Sequence, residues 1–324
     1  MTRTMAQAIN QALAQEMAID DRYVLLGEDV GRDGGVFRVT EGLVGRFGPE
    51  RVIDTPLAES GAVGAAVGMA ALGLRPIVEI QFMGFIYPAF NQIVSHVARL
   101  RNRTRGRFAV PLVIRTPYGA GVRALEHHSE STEALFCQIP GLVVVVPSDP
   151  ADAKGLLTAS LRSDDPVIFL EPTRLYRAEK QEVPDAAYEV PLGRARVVRE
   201  GKDVTVVAWG AMIPVARKAA DMAQAGGVEV EIVDLRTLSP MDREAVVGSV
   251  KKTGRAVVLH EAPKTCGLGA EIAALIGERA LLSLKAPVLR VTGQDITVPL
   301  SKSEDDYYPN PERVARAVRR VMEF

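Results

Sequence analysis

Glu59 is the carboxylate in this chain whose setting most invites chemistry. It ends the run Asp54-Thr-Pro-Leu-Ala-Glu59 and stands at the mouth of a small, apolar segment, residues 61–71, that reads as a buried helix. An ionisable group against such a helix is costly without a partner, and burial raises a carboxyl pKa. Two explanations fit. One is an acidic first-turn residue favouring the helix N-terminus; the other is an acid held for a bound heterocycle. Glu59 alone does not choose between them.

Other reactive residue types gather where strands are expected to end. Gly27-Glu28-Asp29, Gln81-Phe82 and Thr116-Pro117 each follow an apolar run. In open α/β sheets ligands bind outside the carboxyl ends of the strands, so these positions belong to one candidate cleft. Glu28 and Glu59 would supply two carboxylates to it, although a solvated loop acid explains Glu28 equally well. The stretch Gln81-Phe-Met-Gly-Phe-Ile-Tyr-Pro88 puts Phe82, Phe85 and Tyr87 around a glycine, directly after a strand. Such a loop could stack on a flat ring, and aromatic core filling is the alternative.

His127 and His128 follow the glycine-rich Tyr118-Gly-Ala-Gly-Val122, where backbone can approach a ligand closely. A histidine titrating near neutrality is a natural proton donor, whereas a loop histidine without a triad partner is more often structural. His96 reads as a helix-face residue, and His260 ends an expected strand. Arg99, Arg101, Arg103, Arg105 and Arg107 alternate without interleaved aromatics, which fits a helix C-terminus and a subunit interface better than nucleic acid.

The elements that must position these groups follow from composition and periodicity. The chain has 324 residues, 47% hydrophobic, with a formal net charge of -1, so disorder and a bulk basic field are excluded. Cys137 and Cys266 have no partner at disulfide or zinc spacing. Met5, Ile9, Leu13 and Met17 form the stripe of a packed helix rather than a signal peptide. The run after Gly61 is too short to span a bilayer, and a soluble cytoplasmic protein is expected.

Strands are expected at 23–26, 76–80, 112–114, 142–146 and 167–170, with helices at 61–73, 88–100 and 150–161 between them. A second alternation places strands at 204–209, 228–233, 256–260 and 287–291, and helices at 212–224, 241–251, 268–283 and 311–323. The fold class is therefore α/β, with two doubly wound domains at 1–175 and 200–324. Residues 176–199, charged and holding Pro184 and Pro191, read as the linker.

Taken in order, Gly27-Glu-Asp-Val-Gly31, Gly34-Gly-Val-Phe37, Asp54-Thr-Pro-Leu-Ala-Glu-Ser-Gly61, Glu79-Ile-Gln-Phe82, His128-Ser129, Asp152-Ala-Lys-Gly155, Asp234-Leu-Arg-Thr237 and Lys252-Thr-Gly-Arg255 span the chain. They resemble the β subunit of two-chain, thiamine-diphosphate-dependent 2-oxo acid dehydrogenases, of the pyruvate and branched-chain type. The resemblance implies a pyrimidine-binding domain followed by a transketolase C-terminal-like domain. It implies that Glu59 hydrogen-bonds a ring nitrogen of the aminopyrimidine, favouring the tautomer that deprotonates the thiazolium carbon. The substrate then loses carbon dioxide, and its acyl unit passes to lipoamide on an acyltransferase partner.

The implied cofactor contacts are Glu28, Leu57, Ala58, Glu59, Gln81, Phe85, Ile86, Tyr87 and Pro88. The implied substrate contacts are Phe82, Met83, Gly84, Phe85 and His128, with His128 serving lipoyl acylation and His127 its neighbour. No Gly-Asp-Gly segment occurs, so the resemblance assigns Mg²⁺ to an α subunit in an α2β2 heterotetramer. A potassium ion is implied near Leu112, Ser160, Leu161, Ser163 and Asp165, with Ser163 replacing an acid of some relatives. Asn91 stands where relatives carry an acid in a relay between active sites. The resemblance also implies that the C-terminal segment ending at Phe324 helps dock the acyltransferase. Acetoin cleavage or ketol transfer on the same scaffold is the alternative chemistry, and a catalytically silent binding scaffold is disfavoured by Glu59 and His128.

Overall fold

The computed structural model describes residues 1–324. The first helix, Met5–Ile19, starts in a capping box: the Thr4 side chain accepts from the Gln7 backbone while the Gln7 side chain reaches back. Its stripe of Met5, Ile9, Leu13 and Met17 is fully buried, packed against the helix Pro150–Arg162. Asp149 caps that second helix by accepting from Asp152 N at 2.8 Å, and Pro150 opens it. Glu16, buried between the two, is held by a forked pair of bonds from Arg162 at 2.8 and 2.9 Å.

The first half of the chain contributes strands β1 (Thr2–Arg3), β2 (Tyr23–Gly27), β3 (Val52–Asp54), β4 (Arg75–Glu79), β5 (Val113–Tyr118), β6 (Val143–Val145), β7 (Val167–Pro172) and β8 (Gln181–Glu182). The second half adds β9 (Arg196–Arg199), β10 (Val204–Ala208), β11 (Val230–Asp234), β12 (Thr237–Ser239), β13 (Ala256–Pro263) and β14 (Leu289–Gly293). Seven strands form one sheet in the order β12-β6-β7-β5-β4-β2-β3, parallel except for β12. Five form the other, β14-β13-β10-β11-β9, parallel except for β9. The buried central strands are near-continuous apolar runs, as helix-covered parallel sheets require.

β12 belongs by sequence to the second half yet pairs antiparallel with β6 of the first sheet. The largest core cluster also crosses the halves, joining Val24, Ile114 and Leu170 to Trp209, Leu238 and Ile276. The expected linker is only partly irregular. Gln181–Glu182 pairs with Thr2–Arg3, and Arg196–Arg199 already belongs to the second sheet.

Two expectations need correction. The helix Glu59–Ala71 buries Ala62, Val63, Ala66 and Ala70, but Gly61, Ala65 and Gly68 are exposed. Small apolar residues signal burial without saying against what, and this chain leaves one face of the helix bare. The helix expected at 88–100 is present but irregular: a 3-10 turn at Tyr87–Ala89 runs into a short α turn and a π turn at Ile93–Val97, with a last α turn at Leu100–Arg103. Pro88 sits in the first turn, where its missing donor costs nothing, and the π turn accommodates an inserted residue further on.

Candidate active site

Glu28 follows β2 directly, and Glu59 opens the helix that follows β3. β2 lies between β3 and β4 with Gly27 opposite both Asp54 and Glu79, so the carboxyl ends of the three strands are level. Gly27 is required there: a Cβ would come within 2.7 Å of the Glu79 carbonyl oxygen. Glu28 is half-buried, and its carboxyl is raised above the usual range first by burial and then by the charges of Glu59 and Asp29. The two acids thus lie near enough for the Glu59 charge to act on Glu28. Asp54 fixes the loop above β2 by accepting from Gly31 N at 2.6 Å and Arg32 N at 3.0 Å.

The wall of the cleft is aromatic. Phe82 is buried and Phe85 half-buried, and the His128 ring meets both edge-on, at centroid distances of 4.5 and 5.2 Å. Gly84 lets the two loops touch backbone to backbone at His127. His128 Nδ1 is buried with no partner, while His127 is exposed beside Glu126. Tyr87 hydrogen-bonds Glu130. Gln81 Nε2 reaches Asp29 at 3.4 Å, which ties the aromatic loop to the loop of Glu28. Met83 and Ile86 are buried beneath these groups, whereas Leu57, Ala58, Tyr87 and Pro88 face outward.

Below the cleft, Arg115 of β5 is fully buried between Glu79 of β4 and Glu171 of β7. Its guanidinium forks onto Glu171 with two bonds of 2.7 Å, and Tyr176 Oη donates to the same carboxylate at 2.5 Å. Burial raises the Glu79 carboxyl, and Arg115 opposes it. The network locks three strand ends together.

Several residues at the site were not evident from sequence. Tyr308 Oη donates to the Ser129 carbonyl at 2.8 Å, and Glu304 accepts from Gly121 N at 3.2 Å. Both come from the far end of the chain, where only the adjacent pair Tyr307-Tyr308 offered a signal. Glu133 and Glu261 are buried nearby, and burial pushes each up to about 7. His260 lies inside β13, stacked on Trp209 at 5.3 Å, and burial pushes it down to about 4. It is a core residue. Asn91 is exposed and accepts from Ser95 at 2.9 Å within its own helical segment.

Residues 1–179 match the transketolase pyrimidine-binding domain, and residues 193–314 match the transketolase C-terminal domain. The chain is 54% identical over 318 residues to the pyruvate dehydrogenase E1 component subunit beta of Acholeplasma laidlawii, covering 98% of this chain and 97% of that one. It belongs to the β-subunit family of pyruvate dehydrogenase E1 components. Identity to the Bacillus subtilis (strain 168) protein of the same name is 49%, and to that of Staphylococcus epidermidis 48%, each covering 99% of both chains. A solved structure described as a split gene transketolase, inactive beta4 tetramer, superposes with a TM-score of 0.82 at 25% identity, covering 99% of this chain and 98% of that one.

Within this β-family chain the residues fit the aminopyrimidine end of thiamine diphosphate: two neighbouring carboxylates, an aromatic wall and an open face. No group of three or more His, Cys, Asp or Glu is gathered in a metal-holding cluster. The potassium positions fit in part. Carbonyls at the C-terminal end of the helix Pro150–Arg162 suit a cation, but Arg75 already donates to Leu161 O at 2.9 Å and to Ser163 O at 2.5 Å. Asp165 pairs with Arg101, its backbone N–H donates to Ser163 Oγ at 3.1 Å, and Leu112 O accepts from Val167 N at 2.9 Å. No helix is long and apolar enough to cross a membrane.

Proposed function

We propose that this chain is the β half of a cytoplasmic pyruvate-type 2-oxo acid dehydrogenase, completed by an α subunit in an α2β2 assembly and passing its acyl group to lipoamide on an acyltransferase. The observation that carries the reading is the level ending of β2, β3 and β4, with Glu28 and Glu59 just beyond. Gln81 ties the Glu28 loop to the aromatic loop, where Phe85 meets the His128 ring edge-on. Thiamine diphosphate, when bound, supplies the nucleophilic carbon and the electron sink for decarboxylation.

Glu59 holds a proton at a ring nitrogen of the aminopyrimidine, and Glu28 keeps a second acid within range. Phe85 packs on the ring. Leu57, Ala58, Gln81, Ile86, Tyr87 and Pro88 complete this chain's side of the cofactor site. Phe82, Met83 and Gly84 shape the substrate end, where His128 exchanges the proton needed for lipoyl acylation. The exposed Leu57, Tyr87 and Leu72, with the bare face of Gly61, Ala65 and Gly68, are the surface an α subunit would cover. That subunit would bring the Mg²⁺ ligands. A potassium ion near Leu112, Ser160, Leu161, Ser163 and Asp165 would require Arg75 to give up its bonds to the Leu161 and Ser163 carbonyls.

The test is a titration of the purified chain with thiamine diphosphate and Mg²⁺, alone and with the α subunit, followed by pyruvate-dependent acylation of a lipoyl domain. Weak binding that tightens when α is added is expected; tight binding by this chain alone would sink the split site. The transketolase neighbour favours ketol transfer as the second reading, and branched-chain 2-oxo acids and acetoin are assayed beside it. Pocket discrimination of about 1–3 kcal/mol per methylene makes direct comparison necessary.

A further inference from the structure

The loop that carries His128 is gripped from the opposite half of the chain. Tyr308, fully buried, donates to the carbonyl of Ser129, the residue next to His128. Glu304, also buried, accepts from Gly121 N at the start of the same loop. Asp305 pairs with Arg123 at 2.5 Å, an exposed contact of small worth. The Tyr308 ring sits under the Arg174 guanidinium at 4.9 Å and packs with Ala120 and Tyr307. Residues 304–308 therefore hold the loop near its beginning, at Gly121 and Arg123, and near its end, at Ser129.

We propose that Tyr308 and Glu304 are positioning residues for His128, so that the transketolase C-terminal-like half sets the reach of a histidine lying in the other half. The inference rests on the role given to His128 in acyl transfer. Without the grip the loop keeps its internal Gly119–Glu130 backbone bond, the Arg174 packing at Gly121 and the Tyr87–Glu130 bond. Ser129, however, loses its tether beside His128, and the imidazole loses its edge-on seat. Glu28 follows β2 and Glu59 opens the helix after β3, outside the gripped loop, so the step they serve stays intact when the grip is loosened.

Tyr308→Phe removes one hydroxyl and keeps the ring, and Glu304→Gln is the companion variant; both are assayed in complex with the α subunit. Lipoyl-domain acylation is measured beside pyruvate decarboxylation read with an artificial electron acceptor, and assembly is checked by sedimentation. In Tyr308→Phe, kcat for acylation should fall about tenfold, equivalent to about 1.4 kcal/mol. Its pH profile should shift, while dye-linked decarboxylation and KM for pyruvate hold. Adding Tyr308→Phe to His128→Ala should cost nothing further. Unchanged acylation in both variants, or equal loss in both half-reactions, overturns the proposal. Wild-type acylation in His128→Ala overturns instead the role of His128 on which it rests.

Discussion

Gly84 and His127 meet backbone to backbone: a Cβ on Gly84 would lie 2.9 Å from the His127 Cα and closer still to its carbonyl oxygen. Neither backbone can retreat, because Met83 is core and Ser129 is tethered to Tyr308. Gly84→Ala should therefore separate the aromatic loop from the histidine loop. A displacement of about 1 Å at reacting groups costs roughly 100-fold in rate, so acylation in the α-complemented enzyme should fall by about that factor. Kinetics equal to wild type would show that the loops need not touch.

Glu59→Gln removes the charge that helps raise Glu28. With ¹³C-labelled glutamate, the Glu28 carboxyl should titrate at lower pH in the variant, since only burial and Asp29 then push it up. Proton exchange at the thiazolium carbon should be lost at the same time. A Glu28 titration that ignores residue 59 would mean the two acids do not share a cleft.

Glu133 and Glu261 are buried acids pushed up to about 7. Native protein holds their protons where unfolded chain has released them, so their contribution is fully present below about pH 4.5 and is lost as pH rises through about 7. His260, pushed down to about 4, works the other way and subtracts stability as pH falls below about 6.5. With Asp234 also raised to about 7, the acids outnumber the histidine. The melting temperature should rise as pH is lowered from about 8 to about 6, and Glu133→Gln should flatten that slope. A melting temperature that climbs with pH over this window would contradict the assignment.

Arg115→Met leaves Glu79 and Glu171 facing each other without their cation. Removing one partner of a buried ion network costs about 3–5 kcal/mol, whereas neutralising all three members costs less. Urea midpoints should rank wild type, then the triple variant with Glu79→Gln and Glu171→Gln, then Arg115→Met last. An Arg115→Met midpoint at or above that of the triple variant would refute the ranking.

The bare helix face supplies the remaining prediction. Ala65→Trp adds bulk to an exposed position, so the isolated chain should keep its melting temperature within about 1 °C, in line with the small effect of most surface changes. Association with the α subunit, followed by sedimentation, should be lost. Normal assembly would mean that this face is not an interface.

Local periodicity made much of the fold legible. The four-residue stripe from Met5 to Met17 announced the first helix, and Asp149-Pro150 its partner. The apolar runs at 167–170 and 204–209 marked central strands. Three-residue strands were not legible: β3 and β12 are too short for any period, and β12 is defined only by its distant partner β6. The exposed half of the helix Glu59–Ala71 was misread because glycine and alanine look the same whether their neighbour is this chain or another. Within the candidate site, Glu28, Glu59, Phe82, Phe85 and His128 can be named from the sequence because motifs surround them. Tyr308 and Glu304 were not, since a contact across more than 170 residues leaves no mark at either end.

The strand exchange at β12 changes what a break in the chain would mean. A nick in the exposed stretch 185–187 would cut every covalent tie between the two match regions, yet residues 237–239 would remain stitched into the first sheet. The fragments would travel together and could keep working. Expressed separately from the start, each would present raw surface, one an open sheet edge and the other a stranded arm. Two genes could encode this molecule only if their products met while folding.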